Sequence, residues 1–305
     1  MAIKTVKAVV NGQEYSLTYS SSSGKWEATL TAPGKSSYNQ DGHYYNVAVT
    51  ATDDAGNSGT ANASTSGAVG EALRLVVKEK VKPTISITAP GAGALLTDSK
   101  PTITAQLRDD DSGIDINTLA LKIDNGTAVG STAAGMTVTA VSGGYDLTYT
   151  PQSTLADGAH TITINVSDHD GNTSTAATRS ITIDTTPPTL DVTNPTDNYV
   201  TNRTALTVSG TTNDVTSGPV TVKIKLNNAD QGTVTVSSSG SWSKAVTLAE
   251  GSNTIVITAT DQAGKSTTIT RTVTVNTTAP KITNVTLTPN PVDAGKTYII
   301  SVTVV

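Results

Sequence analysis

Along most of this chain apolar residues occupy every second position. In the stretch "HTITINV" Ile162, Ile164 and Val166 fall on one side and polar residues on the other, and "NTIVITA" repeats the arrangement with Ile255, Ile257 and Ala259. A period of two is what a strand needs when one face meets a core and the other meets water. The runs are short and separated by Gly, Asn, Asp or Pro, residues that reverse the chain. Across residues 186–278 the pattern predicts strands near 190–193, 205–209, 220–226, 232–237, 242–248, 253–259 and 266–275. Composition agrees: Thr, Ser and Val dominate, Phe is absent and aromatics make up 4%, which favours strands over helices. The expected class is all-β.

The pattern recurs on a larger scale. "ATDDAGNSGT" at 51–60 returns as "VSDHDGNTST" at 166–175 and as "ATDQAGKSTT" at 259–268, aligning Asp53, Asp168 and Asp261, and likewise Gly56, Gly171 and Gly264. Upstream of each copy stands a Gly-rich aromatic strand: Gly24-Lys25-Trp26, Gly143-Gly144-Tyr145 and Gly240-Ser241-Trp242. Proline marks the joints at Pro83, at Pro187 and Pro188, and at Pro280. A chain of 305 residues exceeds what one small core accommodates, so the repeat predicts modules at 1–81, 82–185 and 186–278, with a partial module at 279–305. There are no cysteines, so packing alone must hold each module. Trp26, Tyr145 and Trp242 are expected to fill the space between sheets.

The spacing of the copies is that of a sandwich of about 100 residues. With the "T-D-x-A-G-N" hairpin, the "T-x-P-P-T" joint and the Thr/Val-rich strands, the chain resembles the bacterial Ig-like (Big) domains strung along adhesins and bacteriophage tail proteins. The stretches "AVVNGQEYSLTYSSSSGKWEATL" and "VTLTPNPVDAGKTYIISVTV" look most like Ig-like proteins encoded beside tail genes of phages and prophages of Gram-positive bacteria. The resemblance implies an all-β tandem array of three immunoglobulin-like β-sandwiches plus a partial fourth module. It implies a non-enzymatic structural or adhesive component of a phage or prophage tail, located in a virion assembled in the host cytoplasm. The alternative is a secreted bacterial surface adhesin or stalk fragment.

Candidate chemistry is sparse. An Asp accepting backbone N–H groups, followed by a positive-φ Gly, stabilises a hairpin without any ligand, and Asp53, Asp168 and Asp261 are read this way. As a calcium loop, Asp168-His169-Asp170-Gly171-Asn172 fails, because Arg179 stands where a bidentate Glu is needed. Ala55 and Ala263 replace Asp170, and Lys265 replaces Asn172, which reads as loss of ligands. The first joint carries Lys78, Lys80 and Lys82, and Asp184 looks like a lone acid at the second. The remaining weak metal candidates are Asp109, Asp111 and Asp115; no other cofactor is expected. His43, His160 and His169 belong to separate turns or strand starts, and no phosphate loop or HExxH motif occurs, so no enzyme activity is expected.

Tyr38, Tyr44 and Tyr45 lie in an insertion of the first module and form the candidate contact surface, for protein or for host cell-surface carbohydrate. Past Pro280 the chain starts a fourth module, and Tyr298, Ile300, Val302 and Val304 share one face of its last strand. That strand is the candidate assembly segment toward other tail proteins or a second copy, since an uncovered edge can add to another sheet. Net charge is −5 with no basic run, so nucleic acid is not an expected partner. No stretch is apolar enough for membrane insertion or a secretory signal.

Overall fold

The computed structural model describes residues 2–305, and the chain separates into two compact units, 1–183 and 184–305. Within the first unit, module 1 contains β1 (Ile3–Val10), β2 (Gln13–Ser20), β3 (Lys25–Glu27), β4 (Tyr45–Asp53), β5 (Ser58–Ala61) and β6 (Arg74–Leu75). They join one sheet in the order β3-β2-β1-β4-β5, with β6 also on β4, and a short helix, α1 (Ala68–Ala72), leads into β6. Module 1 thus runs its strands along one path where the next two modules stack two layers. Its buried apolar residues, Val6, Ala8, Val10, Tyr45 and Ala63, are mostly small. Trp26 does not plug a core as expected. It lies half-buried on the short β3, edge-on to Tyr19 at 5.8 Å, and Tyr19 is itself 58% exposed.

Module 2 contains β7 (Thr84–Ala89), β8 (Ala94–Leu96), β9 (Ile103–Arg108), β10 (Ile114–Ile123), β11 (Met136–Val141), β12 (Gly144–Tyr149), β13 (Gly158–Asp168) and β14 (Ala177–Ile183). Two sheets, β10-β13-β14-β8 and β11-β12-β9-β7, face each other across a core that includes Ile103, Leu107, Leu121, Leu147, Ile162 and Ile164. Tyr145 packs against that core from a half-buried position.

The second unit repeats this plan. Its strands are β15 (Thr189–Asn194), β16 (Tyr199–Thr201), β17 (Ala205–Asn213), β18 (Thr221–Leu226), β19 (Ala229–Val234), β20 (Ser241–Thr247), β21 (Gly251–Thr260) and β22 (Ser266–Val275). They form sheets β15-β17-β20 and β16-β22-β21-β18-β19. In both modules a short strand, β8 or β16, runs parallel to the last strand, β14 or β22. The alternation read from the sequence places Ile255, Ile257 and Ala259 inward with no exposure, and Trp242 fills the core at 3%. Burying each of these isoleucines contributes about 1.5–3 kcal/mol, which is why the period-two pattern holds the register so firmly. All-β modules in tandem, predicted from the repeat, are what the chain forms.

A hairpin follows, β23 (Ile282–Thr288) with β24 (Ile299–Val304). Val285 sits opposite Val302 and Leu287 opposite Ile300, and all four are exposed. Within the second unit the hairpin pairs with no other strand. Tyr298, Ile300, Val302 and Val304 are exposed, as are the other residues of β23 and β24.

Candidate functional site

The three repeated hairpins share one local design. The Oδ1 atom of Asp53 accepts the N–H of Asn57 at 2.9 Å, that of Asp168 the N–H of Asn172 at 2.8 Å, and that of Asp261 the N–H of Lys265 at 2.8 Å. Gly56, Gly171 and Gly264 take φ of 88°, 92° and 85°, the left-handed region where a Cβ is costly. The turn reading therefore describes their backbones. In the first two hairpins the Asn amide also donates to the second carboxylate oxygen, at 3.0 Å on Asp53 and 2.7 Å on Asp168. The Asn57 side chain, together with its backbone N–H, holds the Asp53 carboxyl below its ordinary value. Lys265 supplies no such amide, and Asp261 Oδ2 is buried with no hydrogen-bond partner.

Carboxylates from distant parts of the chain gather beside two of these hairpins. Glu79, Asp109 and Asp168 each bring one oxygen within 4.8 Å of the others in the first unit, and Asp184, Asp214 and Asp261 do the same in the second. Glu79 and Asp184 each precede the Pro-Thr that opens a module, so the two acids occupy matching places. The acid at Asp184 is not alone, and the joint rich in lysine turns Glu79 inward, which corrects both readings made from the sequence. Asp109 and Asp214 both begin an Asp-x-x-Ser-Gly loop, at 109–113 and 214–218. In each loop the Asp Oδ1 accepts two backbone N–H groups: Asp111 and Gly113 at 3.1 and 2.8 Å, Thr216 and Ser217 at 2.8 and 2.6 Å. This recurrence was visible in the sequence and marks Asp109 and Asp214 as equivalent positions, without showing which acids they meet.

Inside the first unit the cluster is largely engaged. Glu79 Oε1 accepts the Ser112 N–H at 2.6 Å, and Asn172 occupies Asp168 Oδ2. Burial pushes the Glu79 carboxyl up; the Ser112 N–H opposes this, and the charges of Asp109 and Asp111 add to the rise. Of the predicted metal trio, Asp109 alone belongs to the cluster. Asp111 accepts the N–H of Ser36 at 3.0 Å and Asp115 caps Asn117 at 3.1 Å, so the three do not form one site.

Those contacts tie module 1 to module 2 within the first unit. Tyr38 stacks between His43, at 4.3 Å, and His169, at 3.9 Å with planes 7° apart. Asp170 Oδ2 accepts the N–H of Glu79 at 2.9 Å. The tyrosines are accordingly not a free exposed patch. Tyr38 is a wedge in this contact, Tyr45 is buried with its hydroxyl donating to the Lys35 carbonyl at 3.2 Å, and Tyr44 lies under the Arg74 guanidinium at 5.2 Å.

His160 is used locally. Its Nδ1 meets Asp124 Oδ2 at 2.7 Å and its Nε2 meets the Ala156 carbonyl at 2.8 Å, an arrangement in which only the doubly protonated ring donates both bonds. Burial lowers its pKa, but the Ala156 carbonyl and the Asp124 carboxylate outweigh that and the net shift is upward. A raised folded pKa gives stability that is complete below the unfolded value near 6.5 and disappears as pH rises through the folded value. Unfolding of the first unit is expected to lose up to about 1 kcal/mol on that rise, and His160→Gln should flatten the dependence. Urea titrations at a series of pH values check this; an unchanged slope in the variant would exclude His160 as its source.

Among the described residues no helix is long and apolar enough to cross a membrane. The sequence profile of a bacterial Ig-like domain matches residues 83–185, and that of glucodextranase domain B matches 188–277. No curated protein matches the chain. Similar solved structures include the fibronectin(III)-like modules of Clostridium thermocellum CbhA, with TM-score 0.36 and 17% identity over 63% of this chain and 94% of that one. Sidekick-1 immunoglobulin domains 1–5 give TM-score 0.41 and 15% identity over 93% of this chain, which spans 56% of theirs. A 1.5-MDa bacterial ice-binding adhesin gives 0.33 and 23% over 90% and 88%. Ig-like and fibronectin-like families are generally non-catalytic. Sheet order, buried cores and matched residues together define a tandem immunoglobulin-like array whose module at 83–185 is similar to the bacterial Ig-like domain family.

Proposed function

We propose that the chain is a non-enzymatic structural or adhesive component of a phage or prophage tail, acting as a spacer or a host-surface binder. One observation carries the structural reading: the polar and aromatic groups of the first unit's loops are spent on holding module 1 to module 2. The His43–Tyr38–His169 stack and the Asp111 and Asp170 hydrogen bonds are its substance. Placement in a tail is supported by the likeness of the "AVVNGQEYSLTYSSSSGKWEATL" and "VTLTPNPVDAGKTYIISVTV" stretches to Ig-like proteins encoded beside tail genes. Its partners would then be other virion proteins or a second copy, with β23 and β24 as the contact, or host-surface carbohydrate. The bacterial Ig-like match at 83–185 favours a second reading, a cell-surface adhesin or stalk.

Mass spectrometry of purified particles and of cell-surface fractions from the same culture tests this. Peptides of the chain are expected to copurify with tails. Recovery in the surface fraction with none in particles would replace the tail reading by the adhesin reading.

A further inference from the structure

The second unit gathers three carboxylates, two of which keep a buried oxygen that no hydrogen bond satisfies. Asp184 precedes β15, Asp214 follows β17 and Asp261 follows β21, so three separate segments deliver them to one place. One oxygen of each lies within 4.8 Å of the others. Asp184 is fully buried and Asp261 is 6% exposed. Each acid spends Oδ1 on backbone N–H groups: Asp184 on Thr186, Asp214 on Thr216 and Ser217, Asp261 on Lys265. The other oxygens of Asp184 and Asp261 are buried with no hydrogen-bond partner, as is the Ser217 hydroxyl in the Asp214 loop. Among the described residues none of the three acids makes an ion pair.

A buried polar atom without a partner is costly, and a buried carboxylate more so. Like charges at this separation add mutual repulsion. Lys265 makes the contrast informative. At the matching position Asn57 and Asn172 donate an amide to the second oxygen of their Asp, a donor that competes with any ligand for it. The change to Lys265 looks in sequence like a lost metal ligand, yet in the fold it removes a competing donor and leaves Asp261 Oδ2 free.

We propose that Asp184, Asp214 and Asp261 bind one calcium ion. The donors are all oxygens, with no imidazole or thiolate, which suits a hard cation and excludes the usual zinc sets. Oxygens this close fit around an ion whose ligands stand about 2.3–2.6 Å away. The cation supplies the partner that the bare oxygens lack and cancels the repulsion among them. Ser217 Oγ is a further oxygen in the same loop. The inference rests on this unit's own side chains and is independent of whether the chain serves a tail or a cell surface.

The test uses the full chain carrying Trp26→Tyr, so that Trp242 reports on the second unit, freed of metal by chelator. Calcium at about 1 mM is expected to raise the thermal midpoint of the Trp242 transition, and magnesium at the same concentration to raise it less. Asp214→Asn should lose at least about tenfold in calcium affinity by calorimetric titration, and in chelator it should be as stable as the parent or more so, since repulsion is relieved. Lys265→Asn preserves all three acids and restores the amide found in the other hairpins, so it guards against a variant that fails to fold; it too should weaken binding. Asp109→Asn, in the first unit, should leave the Trp242 response intact. The proposal is overturned if calcium does not move the parent's transition, if magnesium moves it equally, or if Asp214→Asn and Lys265→Asn respond like the parent.

Discussion

Replacing Gly210 by alanine is expected to destabilise the second unit by more than about 3 kcal/mol, although the change adds a single methyl group. Gly210 sits in β17, the central strand of its sheet, opposite Val192 of β15 and Trp242 of β20. A Cβ there would stand 1.9 Å from the Asp191 carbonyl oxygen and 2.6 Å from Cζ2 of the Trp242 ring. The carbonyl is held by the β15–β17 ladder and cannot retreat without breaking it. The indole is 3% exposed and has the core behind it. Urea unfolding followed by Trp242 fluorescence, in a Trp26→Tyr background, should show a lower midpoint and a native spectrum shifted toward the red. A loss below about 1 kcal/mol would mean that the sheet yields more easily than close packing allows.

The second large effect is expected at Ile257. Its side chain is fully buried in β21, between Ile255 and Ala259 on the same face, with Ile224 of β18 and Ile269 of β22 beside it across the ladder. Ile257→Ala removes buried methyl groups and leaves a cavity that the flanking strands β18 and β22 cannot close, at a cost of about 3–4 kcal/mol. The same substitution at Ile300, exposed on β24 at 58%, should change the stability of the chain by less than about 0.5 kcal/mol. The same fluorescence titration checks the pair; equal effects would remove the distinction drawn between a sandwich core and the uncovered hairpin.

Much of the fold was legible because its determinants are local. Alternation in "NTIVITA" assigns Ile255, Ile257 and Ala259 to the core, since neighbouring side chains of a strand must point to opposite faces. The predicted strand at 266–275 matches Ser266–Val275, while the short β16 (Tyr199–Thr201) escaped notice because three residues carry too little alternation. The hairpin turns were readable for the same reason: an Asp and a Gly a few residues apart suffice to close them. Aromatic residues at equal places in the repeat did not share a fate. Trp242 has Gly210 opposite it and a second sheet to cover it, whereas Trp26 lies on a short strand of a module with one sheet path.

The acids show where local reading ends. That Asp261 caps its own turn was determined by the sequence alone, as were the strand pattern, the module repeat and the absence of disulfides. Which atoms face the second carboxylate oxygen depends on where the segments at 184 and 214 come to lie, and only the tertiary structure decided that. The same holds for Tyr38, whose partner His169 belongs to another module. The physical reason is range. Backbone dihedrals and side-chain alternation are set by residues a few positions apart, but desolvation and charge act on whatever the fold brings within a few ångströms, however far it lies along the chain.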